Sequence, residues 1–79
     1  MKLHAGGQLT WYLPQKQSDL EIQLEAPTRL TEVIARIPIP AGEVVLVVLN
    51  GELADLNTVM VTDADRVELY PPIGGGAIY

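Results

Sequence analysis

One stretch of the chain has helical periodicity. Four apolar residues recur at the spacing of a single helix face: Leu30, Val33, Ile34 and Ile37. This stripe predicts a helix about two turns long. The helix should end before Pro38, because a proline ring disfavours helical geometry at the preceding residue. By residue type, Thr28 is the best N-cap candidate.

The remaining apolar residues are arranged as in strands. Leu20, Ile22 and Leu24 alternate with polar residues, which predicts a strand with one solvent-exposed face. The dipeptide Asn50-Gly51 follows the apolar run at 44–49 and predicts a two-residue hairpin turn. Further extended segments are expected at 1–5, 9–13, 59–61 and 66–70, with a polar turn at 63–65 and a stop at Pro71-Pro72. One short helix among these strands predicts an α+β fold, a mixed sheet with one crossing helix.

Length and charge exclude several classes of protein. Seventy-nine residues can enclose one core, and without cysteine no disulfide supports it. The net charge of −5 repels nucleic-acid backbones and anionic lipid, so neither nucleic acid nor membrane is an expected partner. No apolar run approaches the ~20 residues that span a bilayer, and no leader opens the chain. We expect a cytoplasmic protein.

The apolar run at 44–49 suggests a docking surface. A single short helix covers one face of a sheet, whereas this run offers apolar side chains to both faces. Either Val45, Val47 and Leu49 or the alternate set, residues 44, 46 and 48, should therefore lie on an uncovered face, where an apolar patch favours partner binding. The alternative is that a loop, at 38–42 or around Trp11, folds over this face.

The C-terminal segment has a different composition from the rest. Gly74, Gly75 and Gly76 have no side chains to bury and lose the most entropy when they are ordered. We therefore expect a folded domain at 1–73 and a flexible glycine-rich tail at 74–79. A thin tail suits a narrow channel in another protein, but a frayed terminus explains the composition equally well.

The order of these motifs resembles one family over nearly the whole chain. The apolar strand runs into Asn-Gly-Glu, an Asp-x-Asp turn and an Arg-Val-Glu-Leu-Tyr strand follow, and Pro-Pro-Ile-Gly-Gly-Gly comes last. This order is similar to that of the ubiquitin-like sulfur carriers of the MoaD/ThiS family, and most similar to proteins like the small subunit of molybdopterin synthase. The resemblance implies a β-grasp fold.

The resemblance also implies chemistry at a carboxyl group. In that family an E1-like adenylating enzyme uses ATP and magnesium to activate the terminal glycine, which becomes a thiocarboxylate and gives its sulfur to a synthase subunit. Gly75 and Gly76 match the diglycine, so Gly76 would carry the acyl group. The carrier is not itself an enzyme and binds no cofactor. Residues assigned to partner contacts are Val45, Val47, Leu49, Pro71, Pro72, Ile73 and Gly74.

The chain departs from the family pattern after the diglycine. Ala77-Ile78-Tyr79 follow Gly76, whose carbonyl is therefore held in a peptide bond. A processing protease would have to remove these three residues before activation. The alternatives are a non-catalytic β-grasp interaction module and a ubiquitin-like modifier that is joined to lysines through Gly76.

Other polar groups do not form a site in the sequence. Asp63 and Asp65 lack the further oxygen donors of a calcium loop, and His4 has no ligand partner at a suitable spacing, so we predict no metal. Trp11 and Tyr12 offer stacking surfaces, but aromatic residues in a chain this small are more often core residues.

Overall fold

The computed structural model describes residues 1–72. Ile73, Gly74, Gly75 and Gly76 lie outside the described residues, as does the predicted boundary between domain and tail. The strands are β1 (Lys2–Ala5), β2 (Asp19–Glu21), β3 (Thr28–Arg29), β4 (Leu46–Leu49), β5 (Glu52–Ala54), β6 (Met60–Val61) and β7 (Arg66–Tyr70), and helix α1 spans Leu30–Ile34.

The main sheet has five strands in the order β2-β1-β7-β4-β5. Its central pair, β1 and β7, is parallel and joins the two ends of the described chain, with Leu3 opposite Val67 and Ala5 opposite Leu69. The other neighbours are antiparallel. This mixed sheet, with one α-helix among residues 1–72, confirms the predicted α+β, β-grasp fold. β3 and β6 form a separate two-stranded ribbon.

The core lies between one face of the sheet and the helix. Leu3, Val67 and Leu69 project from the central strands and are fully buried. Helix α1 supplies Leu30, Val33 and Ile34, also buried, so the predicted helical stripe forms the second layer. Truncating a leucine in such a site costs roughly 2–5 kcal/mol, a large share of the stability of a domain this small.

The helix is shorter than its apolar stripe. It contains five residues, and the turn after it tightens, because Arg36 and Ile37 donate to Val33 and Ile34 at i−3 spacing. The prediction of Thr28 as N-cap is wrong. Thr28 pairs with Val61 in the small ribbon, and its hydroxyl donates to the carbonyl of Ala26. Strand pairing thus fixes the start of the helix where no capping side chain does.

The predicted strand at 9–13 is also wrong. Residues Gly7–Tyr12 form a 3-10 helix, and a second one spans Pro14–Lys16. Leu9, within the first of these helices, and Leu13, in the extended link between them, are both buried. Trp11 lies between them and points outward, so the expectation that it belongs to the core is not met.

The predicted hairpin turn at Asn50-Gly51 and the last strand are confirmed, whereas the strand expected from residue 44 begins only at Leu46. Asn50 and Gly51, with φ of 50° and 89°, form the turn between β4 and β5, as the left-handed geometry of a tight hairpin requires. The Asn50 side chain donates to Asp65 and accepts from the N–H of Arg66, which ties this hairpin to the turn at 63–65. The last strand has the predicted bounds.

Candidate docking surface at the tail exit

The outer face of the main sheet is the one that the helix does not cover. Strand register assigns residues to it, since side chains of paired residues lie on the same face. Val48 and Glu68 are paired, and so are Leu46 and Tyr70; both pairs lie on the outer face. Val47 pairs with Leu69 and therefore belongs to the core face.

The expectation that Val47 lines an uncovered face is therefore wrong. Its side chain is only 2% exposed, and that of Leu49 is partly buried against the core. Val45 is 64% exposed, as predicted, but it precedes β4 and is followed by another outward residue, Leu46. Outward and inward side chains alternate strictly only from Leu46, where β4 begins. The chain enters the sheet there after a 3-10 turn at Ala41–Glu43.

An apolar concavity lies where the last strand leaves the sheet. We call it the tail-exit surface; it has a volume of about 420 Å³ and is lined by Gly7, Val45, Leu46, Tyr70 and Pro71. Leu53 is exposed on the neighbouring β5 and extends the apolar character of this half of the sheet. Pro71 is partly buried and Pro72 is exposed, and the chain continues from there toward the glycines.

Two glycines allow the close packing at this point. A Cβ at Gly6 would lie 2.3 Å from Cδ1 of the Tyr70 ring and 3.3 Å from the carbonyl oxygen of Leu69. At Gly7, φ is +54°, and a Cβ would lie 3.2 Å from Cγ of Pro71. The backbone of the first loop therefore supports Tyr70 and Pro71 directly, which fixes the position from which the tail starts.

The other half of the outer face is charged, and its groups are paired. His4 Nδ1 lies 3.0 Å from a carboxylate oxygen of Asp19. This hydrogen bond, and a second from Ser18, hold the pKa of Asp19 below its usual value. The Tyr70 hydroxyl donates to Glu68, which raises the pKa of Tyr70. These pairs lie on the β1, β2 and β7 side of the outer face, next to the apolar tail-exit surface.

The two aspartates of the polar turn act as hydrogen-bond acceptors. Asp63 accepts from the backbone N–H of Leu24 at 2.9 Å and from the Met1 amine at 3.3 Å, and both contacts lower its pKa. Asp65 accepts from Asn50 and from the N–H of Thr62, which lowers its pKa as well. Their oxygens hold the turn together. Within residues 1–72, no group of three ligand-type side chains is placed to hold a metal ion.

The sequence model of the ThiS family matches residues 10–76, which is most of the chain and includes the strand that ends at the tail-exit surface. The chain belongs to the ThiS family. Members of this family are small ubiquitin-like sulfur carriers in cofactor biosynthesis, not catalysts, and they act together with E1-like adenylating enzymes and synthases. No curated protein matches the chain significantly. In the described part of the chain, no helix has the length and apolar character to cross a membrane.

Sequence reasoning found part of this surface. Val45 and Pro71 were predicted as partner contacts and line it, and Pro72 follows directly. Gly7, Leu46 and Tyr70 were missed. Tyr70 could have been found, since in the extended segment predicted at 66–70 the apolar residues Val67 and Leu69 alternate with it and would face the core, which requires Tyr70 to point outward. Gly7 had no such signal, because its contact with Pro71 joins the two ends of the chain. The predicted contacts Ile73 and Gly74 lie outside the described residues.

Proposed function

We propose that this protein carries sulfur as a thiocarboxylate on Gly76 after a protease has removed Ala77-Ile78-Tyr79. The observation that carries the proposal is the continuity between the family match, which ends at Gly76, and the apolar surface around Tyr70 and Pro71. A partner that docks on this surface receives the chain segment that leads to the glycines. Transfer of sulfur within a cytoplasmic enzyme system fits a chain without cysteine.

The proposed chemistry requires a free carboxylate. The Gly76 carboxylate would attack the α-phosphorus of magnesium-bound ATP on an E1-like enzyme, forming an acyl adenylate and releasing pyrophosphate. A sulfur nucleophile at the sulfide level would then displace AMP and leave a thiocarboxylate. A peptide bond to Ala77 blocks the first step, because the carbonyl has no second oxygen to attack with.

In the proposed reaction, the described residues bind the partner enzymes and do not supply catalytic groups. His4 and Asp19 are hydrogen-bonded to each other, and the titratable group that lines the tail-exit surface, the Tyr70 hydroxyl, donates to Glu68. The carrier contributes a docking surface and a tail, and the partners contribute the catalytic groups. Of the two cofactor pathways, we favour molybdopterin over thiamine, because the ending Pro-Pro-x-x-Gly-Gly resembles that branch.

Mass spectrometry of the intact protein tests the proposal. Chains ending at Gly76 and at Tyr79 are incubated separately with an E1-like enzyme of the same host, ATP, magnesium and a sulfur donor. We expect one sulfur-for-oxygen exchange in the shorter chain only. Equal behaviour of the two chains would refute the requirement for a free Gly76 carboxylate.

A deletion separates the carrier from the non-catalytic interaction module. Removing residues 74–79 should abolish the cellular role of a carrier, whereas an interaction module would keep both its partner affinity and its role. Ladders of heavier species on denaturing gels would instead identify a protein modifier that is conjugated through Gly76.

A further inference from the structure

The loop between β1 and β2 is a second structured surface next to the tail exit. Leu9 and Leu13 anchor it in the core, and Leu13 donates to the carbonyl of Thr10. The Thr10 hydroxyl donates in turn to the carbonyl of Gly7. We call residues 7–16 the aromatic loop. Its two anchors hold the intervening side chains, Trp11 and Tyr12, outside the core.

Trp11 is 74% exposed, more than any other large apolar side chain described. Together with Gln8 and Tyr12 it lines a concavity of about 440 Å³. Exposed tryptophan is unfavourable in an isolated domain, whereas tryptophan and tyrosine are enriched among the residues that dominate binding energy at protein interfaces. The loop therefore presents a rigid aromatic contact and not a core residue.

The charge of the aromatic loop is opposite to that of the whole chain. Residues 1–18 contain no Asp or Glu, although the chain has ten acidic residues and a net charge of −5. Lys16 is the only charged residue of the loop, and its Nζ lies 5.6 Å from the centroid of the Trp11 ring. Gln15 and Lys16 have φ of 57° and 55°, left-handed values that non-glycine residues adopt at a conformational cost. This backbone brings the ammonium over the indole.

The aromatic loop and the tail-exit surface are continuous. Gly7 lines the tail-exit concavity, and its neighbour Gln8 lines the concavity beside Trp11. A protein large enough to enclose the tail at Pro71 therefore reaches the loop as well. The Lys16 ammonium and the absence of acidic residues in the loop suit a negatively charged segment of such a partner, while the exposed indole offers that segment an apolar contact.

We propose that the aromatic loop is the second half of the docking surface and that it receives an acidic segment of the E1-like enzyme that adenylates Gly76. This inference rests on the proposed function. In it, Leu46 and its apolar neighbours position the tail, while Trp11 and Lys16 select the enzyme.

Binding without ATP tests the inference, because it separates docking from chemistry. The chain ending at Gly76, which retains all of the described residues 1–72, is titrated with the E1-like enzyme of the same host at several salt concentrations. We expect Trp11→Ala to weaken binding at least about tenfold, as for a central interface aromatic. Lys16→Glu should weaken binding and flatten its salt dependence. Arg36→Glu, the same charge change at an exposed residue after the helix, should stay within about twofold of wild type.

The single tryptophan provides a direct reporter. Labelling the chain with 5-fluorotryptophan gives one ¹⁹F resonance, from Trp11, which should shift and broaden when unlabelled enzyme is added. An unchanged resonance at saturation would overturn the inference. The inference would also be overturned if Trp11→Ala and Lys16→Glu both bound the enzyme with wild-type affinity while Leu46→Asp bound it weakly. That result would still support docking at the tail-exit surface. If Leu46→Asp also binds normally, docking at the tail exit fails together with the inference.

Discussion

Leu46 and Val47 are neighbours in the sequence, but the structure gives them opposite roles. Leu46 lies on the outer face at the tail exit and is 39% exposed, whereas Val47 is buried opposite Leu69. Truncating each to alanine removes apolar atoms from adjacent positions on opposite faces of one strand. The two variants therefore separate packing in the core from docking at the surface.

The two substitutions should lower the free energy of unfolding by different amounts, because Val47 is enclosed in the core and Leu46 is not. Val47→Ala removes two methyl groups from the core and leaves a cavity, so we expect a loss of about 2 kcal/mol in the free energy of unfolding. In a domain of this size that loss corresponds to a decrease of roughly 10 °C in Tm. Leu46→Ala leaves space that solvent can fill, and we expect a cost of about 1 kcal/mol or less.

Urea and thermal unfolding of the two variants, followed by circular dichroism, measure these costs. Binding of the folded variants to the E1-like enzyme supplies the complementary measurement, in which Leu46→Ala should be the weaker binder. Equal stability losses, or a larger loss for Leu46→Ala, would show that the assignment of the two faces is wrong.

Two further perturbations test the turn and the tail exit. The hydrogen bond from Leu24 lowers the pKa of Asp63 in the folded protein, so its contribution to stability is present above the ordinary pKa near 3.8 and is lost as pH falls below it. Asp63→Asn should lower Tm at pH 7 and reduce the further loss of Tm between about pH 5 and 2. If Tm of the variant fell with pH as steeply as that of the wild type over this range, Asp63 would not have the stabilising role described. Gly6→Ala introduces a Cβ 2.3 Å from the ring of Tyr70, and we expect a cost of about 1–3 kcal/mol in unfolding experiments. Gly42→Ala, with open space around its Cβ, is the matched control and should be neutral or slightly stabilising.

Local signals predicted the fold where a short segment determines its own structure. Asn50-Gly51 defines its hairpin because both positions tolerate positive φ, and the prolines at 71 and 72 end β7 because they lack an N–H for the ladder. The helical stripe identified the correct core residues but not the length of the helix, because the chain tightens after Ile34, where Arg36 and Ile37 donate at i−3 spacing.

Contacts between distant segments account for the predictions that failed. Period-two alternation at 9–13 predicts a strand, but the segment forms a 3-10 helix that ends at Tyr12, and burial of Leu9 and Leu13 in the core outweighs the local pattern. The face of Val47 depends on its register with Leu69, which lies more than twenty residues away. The family resemblance could identify the tail but could not identify Leu46 or Gly7 beside it.

The end of β7 connects the sheet to the proposed chemistry through a geometric limit. β7 is held on both sides up to its last residue, because Gly6 donates to the carbonyl of Leu69 at 2.8 Å and Val45 donates to that of Tyr70 at 2.9 Å. The tail therefore starts from a fixed point. Gly76 is four residues beyond Pro72, and a fully extended chain covers at most about 14 Å over that distance. An enzyme that acts on Gly76 must bring its reacting groups within that distance of Pro72, so it has to contact the surface around Tyr70 and Pro71. The short distance from Pro72 to Gly76 thus requires a docking surface at the tail exit, and the apolar concavity there supplies one.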